Sequence, residues 1–354
     1  MDQAVIPTRM LAAVMTDIKK IEIKTQPIPS LSDNEILVKL QAVGICGSDI
    51  HYFEHGGIGN TKVKTPFILG HECAGEVIQI GRNVEKFTLG DRVAIEPGVA
   101  CRLCENCKLG RYNLCPSVAF FATPPIDGAL CQFVKIRADF AHVIPDQLSY
   151  QEAALIEPFS VSLHAAHRTC LRLGHTVAIT GMGPVGLMSI IAAKAYGAKN
   201  IIVSDVEPKR LEIAKQLGAT HVLNPISDNV IEEIFAVTNN KGVDLAWECS
   251  GNKSAFQTIL QTIKRGGKMA VIGLPPEENI TFNIHTVSGL EVDIIGIFRY
   301  ANTYSQGIDI LGSGQYDLQP LMTNHYGLED TQIALEKAMY DKKNSIKIMI
   351  YPND

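Results

Sequence analysis

The chain has 354 residues, 46% of them apolar and 19% charged, and a formal net charge of -5. That length suggests about two domains with ample material for packed cores. The acidic balance, with no basic run, argues against a nucleic-acid partner, whose phosphates need a positive face. The opening MDQAVIPTRMLAAVM carries an acidic residue and a proline before a short apolar stretch, so we expect no secretory signal, no membrane partner and a cytoplasmic location.

From about residue 10 to 150, short apolar runs such as EILVKLQAVG, GHECAGEVIQIG, DRVAIEPG and ALCQFVKI are broken by Gly, Pro, Asn and Asp. They read as strands joined by turns. Within this stretch, ICGSDIH and ILGHECAGE supply a thiol, an imidazole and a carboxylate in Cys46, His71 and Glu72, each competent for zinc if the two loops meet. Taken singly, Cys46 also reads as core, His71 as a turn histidine and Glu72 as surface charge.

The next segment, CRLCENCKLGRYNLC, places Cys101, Cys104, Cys107 and Cys115 at C-x2-C-x2-C-x7-C spacing. Four thiolates so close can converge on one tetrahedral zinc, and such a closed site leaves no position for a substrate. We therefore expect a structural zinc, with a zinc-ribbon interaction module as the rival. The chain has nine cysteines, too few for a disulfide scaffold, and the clustered four suit a reducing compartment. Cys73, Cys131, Cys170 and Cys249 read as buried small hydrophobes. In ALIEPFS, Glu157 stands between apolar residues, where a carboxylate is costly to bury without a cation or hydrogen bonds.

From Gly174 the pattern changes to alternating strand and helix. The strands are HTVAIT, NIIVSD, THVLN, VDLAWECS, KMAVIGL and EVDIIGIF, and the helices lie over PVGLMSIIAAKAYGA, EPKRLEIAKQLGA, IEEIFAVT and SAFQTILQTIKRGG. Six such strands predict a parallel doubly wound sheet. Between its first strand and helix stands GMGPVG: Gly181 for the tight turn, Gly183 for close approach to a pyrophosphate, Gly186 for helix packing. Asp205 ends the second strand, 19 residues after Gly186, where a carboxylate accepts from the ribose hydroxyls of NAD and repels a 2′-phosphate. Arg210 and Lys209 work against a strict exclusion of NADP. After Phe298 come RYANTY, helices near SQGIDILGSG and LEDTQIALEKAM, and a last strand near SIKIMIY.

Over about residues 10–352, in GICGSDIHYFEHGGIG, GHECAGEV, GDRVAIEPG, GRYNLCP, ATPPIDGAL, ALIEPFSV, GMGPVGL and GIFRYANTY, the chain resembles the zinc-containing medium-chain dehydrogenases, most of all their polyol-oxidising members. The resemblance implies an α/β fold: a Rossmann doubly wound parallel sheet over 159–296 and a GroES-like β-rich catalytic domain over 1–158, containing the structural zinc loop 101–115. Residues 297–354 would return to the catalytic domain. It implies NAD, one catalytic and one structural zinc per chain, a homotetramer, and oxidation of a polyol's secondary alcohol to the ketose. Sorbitol would give fructose, and xylitol would give xylulose.

On the same resemblance, Cys46, His71 and Glu72 hold the catalytic zinc, with Glu157 acting through a zinc-bound water. Ser48, Tyr52, Phe120, Thr123, Glu157, Arg299 and Tyr300 would contact the polyol. Val185, Asp205, Arg210, Ile272, Gly273, Leu274, Ile297, Phe298 and Arg299 join the three turn glycines as cofactor positions. Ser48 and His51, or Glu157, are the candidates for releasing the proton.

Two departures matter. Alcohol-oxidising members keep a second cysteine ligand where this chain has Glu157. Some animal members lack the four-cysteine loop that this chain has in full. Cys46 and Glu72 already neutralise the zinc's two charges, so direct ligation by Glu157 would leave the centre negative. The alternatives are a xylitol, L-arabinitol or L-threonine dehydrogenase, or a non-enzymatic zinc-binding protein of the same fold.

Overall fold

In the computed structural model, which describes residues 6–275 and 279–354, the apolar runs of the first half form a β-rich unit. Strands β1 (Arg9–Asp17) and β2 (Lys20–Pro27) pair as a hairpin, and the short strand Phe67–Ile68 adds to β1. There follow β3 (Glu35–Gly44), α1 (Gly47–His55), β4 (Glu72–Ile80), β5 (Arg92–Ile95), β6 (Phe133–Arg137) and β7 (Ala141–Val143). Helix α2 (Ile156–Thr169) then leads into the alternating half.

That half contains β8 (Thr176–Thr180), α3 (Pro184–Ala195), β9 (Asn200–Ser204), α4 (Pro208–Leu217), β10 (His221–Leu223) and α5 (Val230–Val237). It continues with β11 (Val243–Glu248), α6 (Lys253–Leu260), β12 (Ile263–Val271), α7 (Ile284–Leu290) and β13 (Asp293–Gly296). The sheet order is β10-β9-β8-β11-β12-β13, and every neighbouring pair is parallel. This is the doubly wound arrangement, whose strand order reverses between β8 and β11. All five residues of β8 are buried, as a strand covered on both faces requires. Helices α3 and α4 each open on a proline, whose missing N–H costs nothing there.

The chain ends with α8 (Tyr304–Leu311), β14 (Met322–Gly327), α9 (Thr331–Tyr340) and β15 (Lys347–Tyr351). These complete the first unit's main sheet, ordered β7-β5-β4-β3-β15-β14, with β6 on the other end of β3. Leu335 and Ala338 of α9, with Ile348 and Ile350 of β15, share one core with Leu37, Leu40, Phe53, Ile95, Leu130 and Ile136. By contacts the chain divides into Met1–Glu157 with Tyr304–Asp354, and Pro158–Thr303. No helix among the described residues is long and apolar enough to cross a membrane.

Several local expectations fail. The helix expected over SAFQTILQTIKRGG stops at Leu260, and Ile263 already pairs with Val243 as the start of β12. Strand β14 and helices α1 and α7 are not anticipated by the apolar pattern. Cys170, expected as core, is exposed just beyond α2 with φ 55°.

Candidate metal centre and dinucleotide turn

Cys46, His71 and Glu72 each bring one ligand atom into a group lying within 4.8 Å of one another. Strand register does this, because Gly44 at the end of β3 stands opposite Glu72 at the start of β4. A Cβ at position 44 would sit 2.2 Å from Glu72 Oε2, so glycine is what admits the carboxylate. Two residues on, Cys46 caps α1. Its N–H donates to Asp49 Oδ2 at 2.9 Å, while Gly70 N–H donates to Asp49 Oδ1, also at 2.9 Å. Asp49 Oδ1 lies 3.6 Å from His71 Nδ1. One buried carboxylate thus ties together the two loops that the sequence left separate.

Charges in this pocket depend on one another. Burial alone would raise the Asp49 pKa, but His71 and the two backbone donors hold it below its ordinary value. Burial would lower His71, yet Asp49 and Cys46 carry it well above the usual histidine range. Lys347 is not among the residues expected here, yet its side chain and that of Glu72 are each only 1% exposed. Lys347 Nζ donates to Glu72 Oε1 at 2.7 Å, to Oε2 at 2.6 Å and to the Ile45 carbonyl at 3.0 Å. Burial opposes its charge, but Glu72 first and Cys46 next raise its pKa, and the charge of Glu157 reaches it as well.

Counting Lys347 corrects the charge argument made from sequence. A dication plus one ammonium balances the Cys46 thiolate, Glu72 and Glu157, so charge alone does not keep Glu157 from a metal. Thiolate, imidazole and carboxylate from three side chains are a donor set that fits zinc and leaves a fourth position open.

Cys101, Cys104, Cys107 and Cys115 form a second group whose sulfurs all lie within 4.8 Å of one another, and each is a free cysteine. Backbone N–H groups of Leu103 and Cys104 bring the Cys101 thiol down to about 6, whereas burial and the neighbouring Cys104 push Cys107 up to about 12. The loop is fastened from outside: Arg102 pairs with Asp139, and Tyr112 donates to the buried Glu96 at 2.7 Å. Leu103 and Leu109 are 77% and 64% exposed, so the loop brings little core of its own. Four thiols in this geometry fit a closed tetrahedral zinc.

In the second unit, Gly181 (φ +83°) turns the chain out of β8, and Gly183 caps α3. A Cβ at Gly186 would lie 1.8 Å from the Gly181 carbonyl oxygen, a closeness only glycine allows. The first turn of α3 presents unpaired N–H groups of the kind that bind a phosphate. Val185 lies in that turn, half-buried, and its carbonyl accepts from Ser162 at 3.2 Å. Asp205 is buried and accepts from Met182 N–H at 2.6 Å and Glu207 N–H at 2.8 Å, with Arg210 Nη1 4.0 Å away. It therefore braces the glycine turn with a carboxylate that has lone pairs to spare. Ile272 and Gly273 follow β12, while Leu274 and Phe298 are exposed and Ile297 N–H donates to Val271 O at 3.0 Å.

Ser48, His51 and Tyr52 lie on α1, the first two half-buried and Tyr52 buried against Phe67. Burial first, then His55 and Lys342, hold His51 below its ordinary pKa. The Phe120 ring stands 5.7 Å from that of His71, and Thr123 N–H donates to the Phe120 carbonyl at 3.1 Å. Glu157 is buried in the first turn of α2. Arg299 and Tyr300 follow β13 in the second unit. Arg299 has φ +53° with its guanidinium 4.8 Å from the Phe298 ring centre, and Tyr300 is buried. Asp49 and Lys347 are the functional candidates that sequence reasoning missed. A lysine inside the apolar run SIKIMIY was the available signal.

Residues 184–313 match the family model described as zinc-binding dehydrogenase, and residues 32–146 match the alcohol dehydrogenase GroES-like domain. The chain is 56% identical over 348 residues to a sorbitol dehydrogenase of Bacillus subtilis (strain 168), covering 98% of this chain and 99% of that one. It is 42% identical over 339 residues to the sorbitol dehydrogenase of Rattus norvegicus, covering 94% of each. Among solved structures, an oxidoreductase/dehydrogenase of unknown specificity from Escherichia coli superposes with a TM-score of 0.94 at 38% identity, covering 98% of this chain and 100% of that one.

Proposed function

The chain belongs to the zinc-containing medium-chain dehydrogenases, and from that membership we propose that it is an NAD-dependent polyol dehydrogenase converting sorbitol or a close relative to the ketose. The observation that carries this reading is the convergence of Cys46, His71 and Glu72 on one point with a fourth position left over. When bound, zinc supplies Lewis-acid activation of a substrate hydroxyl, and NAD takes the hydride.

The chain's own residues set position and charge. Cys46, His71 and Glu72 hold the catalytic metal, and Asp49, 3.6 Å from His71 Nδ1, sets a buried negative charge beside that ring. Lys347 moderates Glu72, so that the pocket does not become strongly anionic when Glu157 is also charged. The substrate's proton is taken up at Glu157, or passes from Ser48 to His51. Tyr52, Phe120, Thr123, Arg299 and Tyr300 remain the candidates for polyol contact. Cys101, Cys104, Cys107 and Cys115 hold a structural zinc. The glycine turn and the start of α3 receive the pyrophosphate, and Asp205 the ribose. A homotetramer follows from the resemblance alone, and a cytoplasmic location from the resemblance and from four clustered thiols that suit a reducing compartment.

The test is a panel of sorbitol, xylitol, L-arabinitol and L-threonine with NAD or NADP, followed through formation of the reduced cofactor. Polyols should exceed L-threonine by about ten-thousandfold in kcat/KM, since a site built to hydrogen-bond several hydroxyls rejects molecules lacking them. A preference for L-threonine would assign the other enzyme, and turnover of none of the four would favour a binding protein.

A further inference from the structure

The strand-order reversal between β8 and β11 is where a doubly wound sheet takes its ligand. There, at the end of β11, stands a carboxylate with no role so far. Glu248 is 1% exposed, opposite Thr180 of β8 on one side and Val271 of β12 on the other. Its Oε1 accepts from Ser250 N–H at 2.8 Å, Gly251 N–H at 3.1 Å, Thr180 Oγ1 at 3.4 Å and the Ser250 hydroxyl; Oε2 accepts from Gly251 N–H at 3.1 Å. Its backbone carbonyl accepts from both Ile272 N–H and Gly273 N–H at 2.9 Å.

Three chain segments therefore meet on one residue. Ser250 also backs the glycine turn, since a Cβ on Gly181 would lie 2.6 Å from Ser250 Cβ. A Cβ on Gly273 would lie 2.8 Å from Glu248 Oε2 and 2.2 Å from Gly251 N, so the 272–274 segment is pressed against the same knot. The protein's own donors engage both carboxylate oxygens, which does not suit a group that exchanges protons with substrate. Gly251 N–H meets both oxygens and Ser250 N–H meets Oε1, so both positions call for an acceptor, and an amide would turn its NH2 against a backbone N–H.

We propose that Glu248 is a positioning residue for the dinucleotide: it locks the turn at Gly181, the 249–252 segment and the 272–274 segment into one shape that receives the cofactor. This rests on reading Gly181–Gly186 as the dinucleotide turn. The experiment compares zinc-loaded wild type, Glu248→Gln and Ser250→Ala by NADH fluorescence titration, steady-state kinetics, zinc content and thermal melting. Glu248→Gln should weaken NADH binding and raise the KM for NAD about tenfold, the worth of one hydrogen bond to a charged group. The KM for polyol and the zinc content should stay near wild type. Ser250→Ala, which removes one donor and keeps the carboxylate, should weaken NADH binding about threefold.

A Glu248→Gln protein that melts earlier but binds NADH as wild type does would overturn the proposal, because Glu248 would then be only structural. If that variant does not fold, Ser250→Ala decides, and unchanged NADH binding there overturns the proposal equally. Wild type failing to bind NADH would instead remove the cofactor reading on which the proposal stands.

Discussion

Replacing Lys347 by methionine keeps most of the side-chain volume and deletes one charge from a buried pair. In the metal-free protein Glu72 would lose partners at 2.7 and 2.6 Å in a place where its own side chain is 1% exposed. Removing one member of such a pair costs about 3–5 kcal/mol, because the other charge stays buried and uncompensated. At roughly 2–4 °C per kcal/mol for a unit of this size, the metal-stripped variant should melt about 6–20 °C below metal-stripped wild type. Bound zinc gives Glu72 another cation, so the zinc-loaded variant should lose clearly less. Zinc would then raise the melting temperature of Lys347→Met by more than it raises that of wild type. Lys347→Arg, which keeps the charge, should fall between the two. Paired melts of stripped and reloaded protein measure all of this. Equal melting of stripped wild type and stripped Lys347→Met would refute the role given to the pair.

Glu157→Gln should lose far more turnover than His51→Gln, about a hundredfold against less than tenfold, if Glu157 handles the proton; equal losses in kcat would route it through both. Cys107→Ser should lower zinc content from about two to about one per chain and expose the loop at Leu103 and Leu109 to protease. Turnover per remaining zinc should persist, as counted by metal analysis beside kinetics. In the second unit, burial would raise the Asp244 pKa, but Lys264 and the Thr176 N–H bring it below its ordinary value. Its contribution is present above the unfolded pKa of about 3.9 and is lost as pH falls through the lower folded value. Urea unfolding of Asp244→Asn should accordingly show less acid sensitivity below about pH 4 than wild type, and identical pH profiles would contradict the assignment.

Much of this was legible in the chain, for identifiable reasons. The alternating half could be followed because GMGPVG sits between a β-branched run and an apolar helix, and because Asp205 falls at the end of the next strand. The failures share a cause. Phe256, Ile259, Leu260 and Ile263 keep helical spacing across the break at Gln261–Thr262, so periodicity alone runs the helix into β12. Strand β14, MTNHYG, has no apolar alternation and exists because β15 supplies its parallel partner. Cys46, His71 and Glu72 could be named as metal-competent donors. Their meeting depends on the Gly44–Glu72 register and on Asp49 reaching both loops, neither of which spacing encodes. Lys347 arrives from 275 residues away in sequence, so only the fold can pair it with Glu72.

The most direct measurement is NADH formation from the best polyol by protein before stripping, after removal of its metals, and after zinc is restored. The mechanism predicts a loss of about a hundredfold or more on stripping, because hydroxyl activation is then missing, and recovery with added zinc. Stripped protein that still oxidised the polyol at the original rate would contradict it.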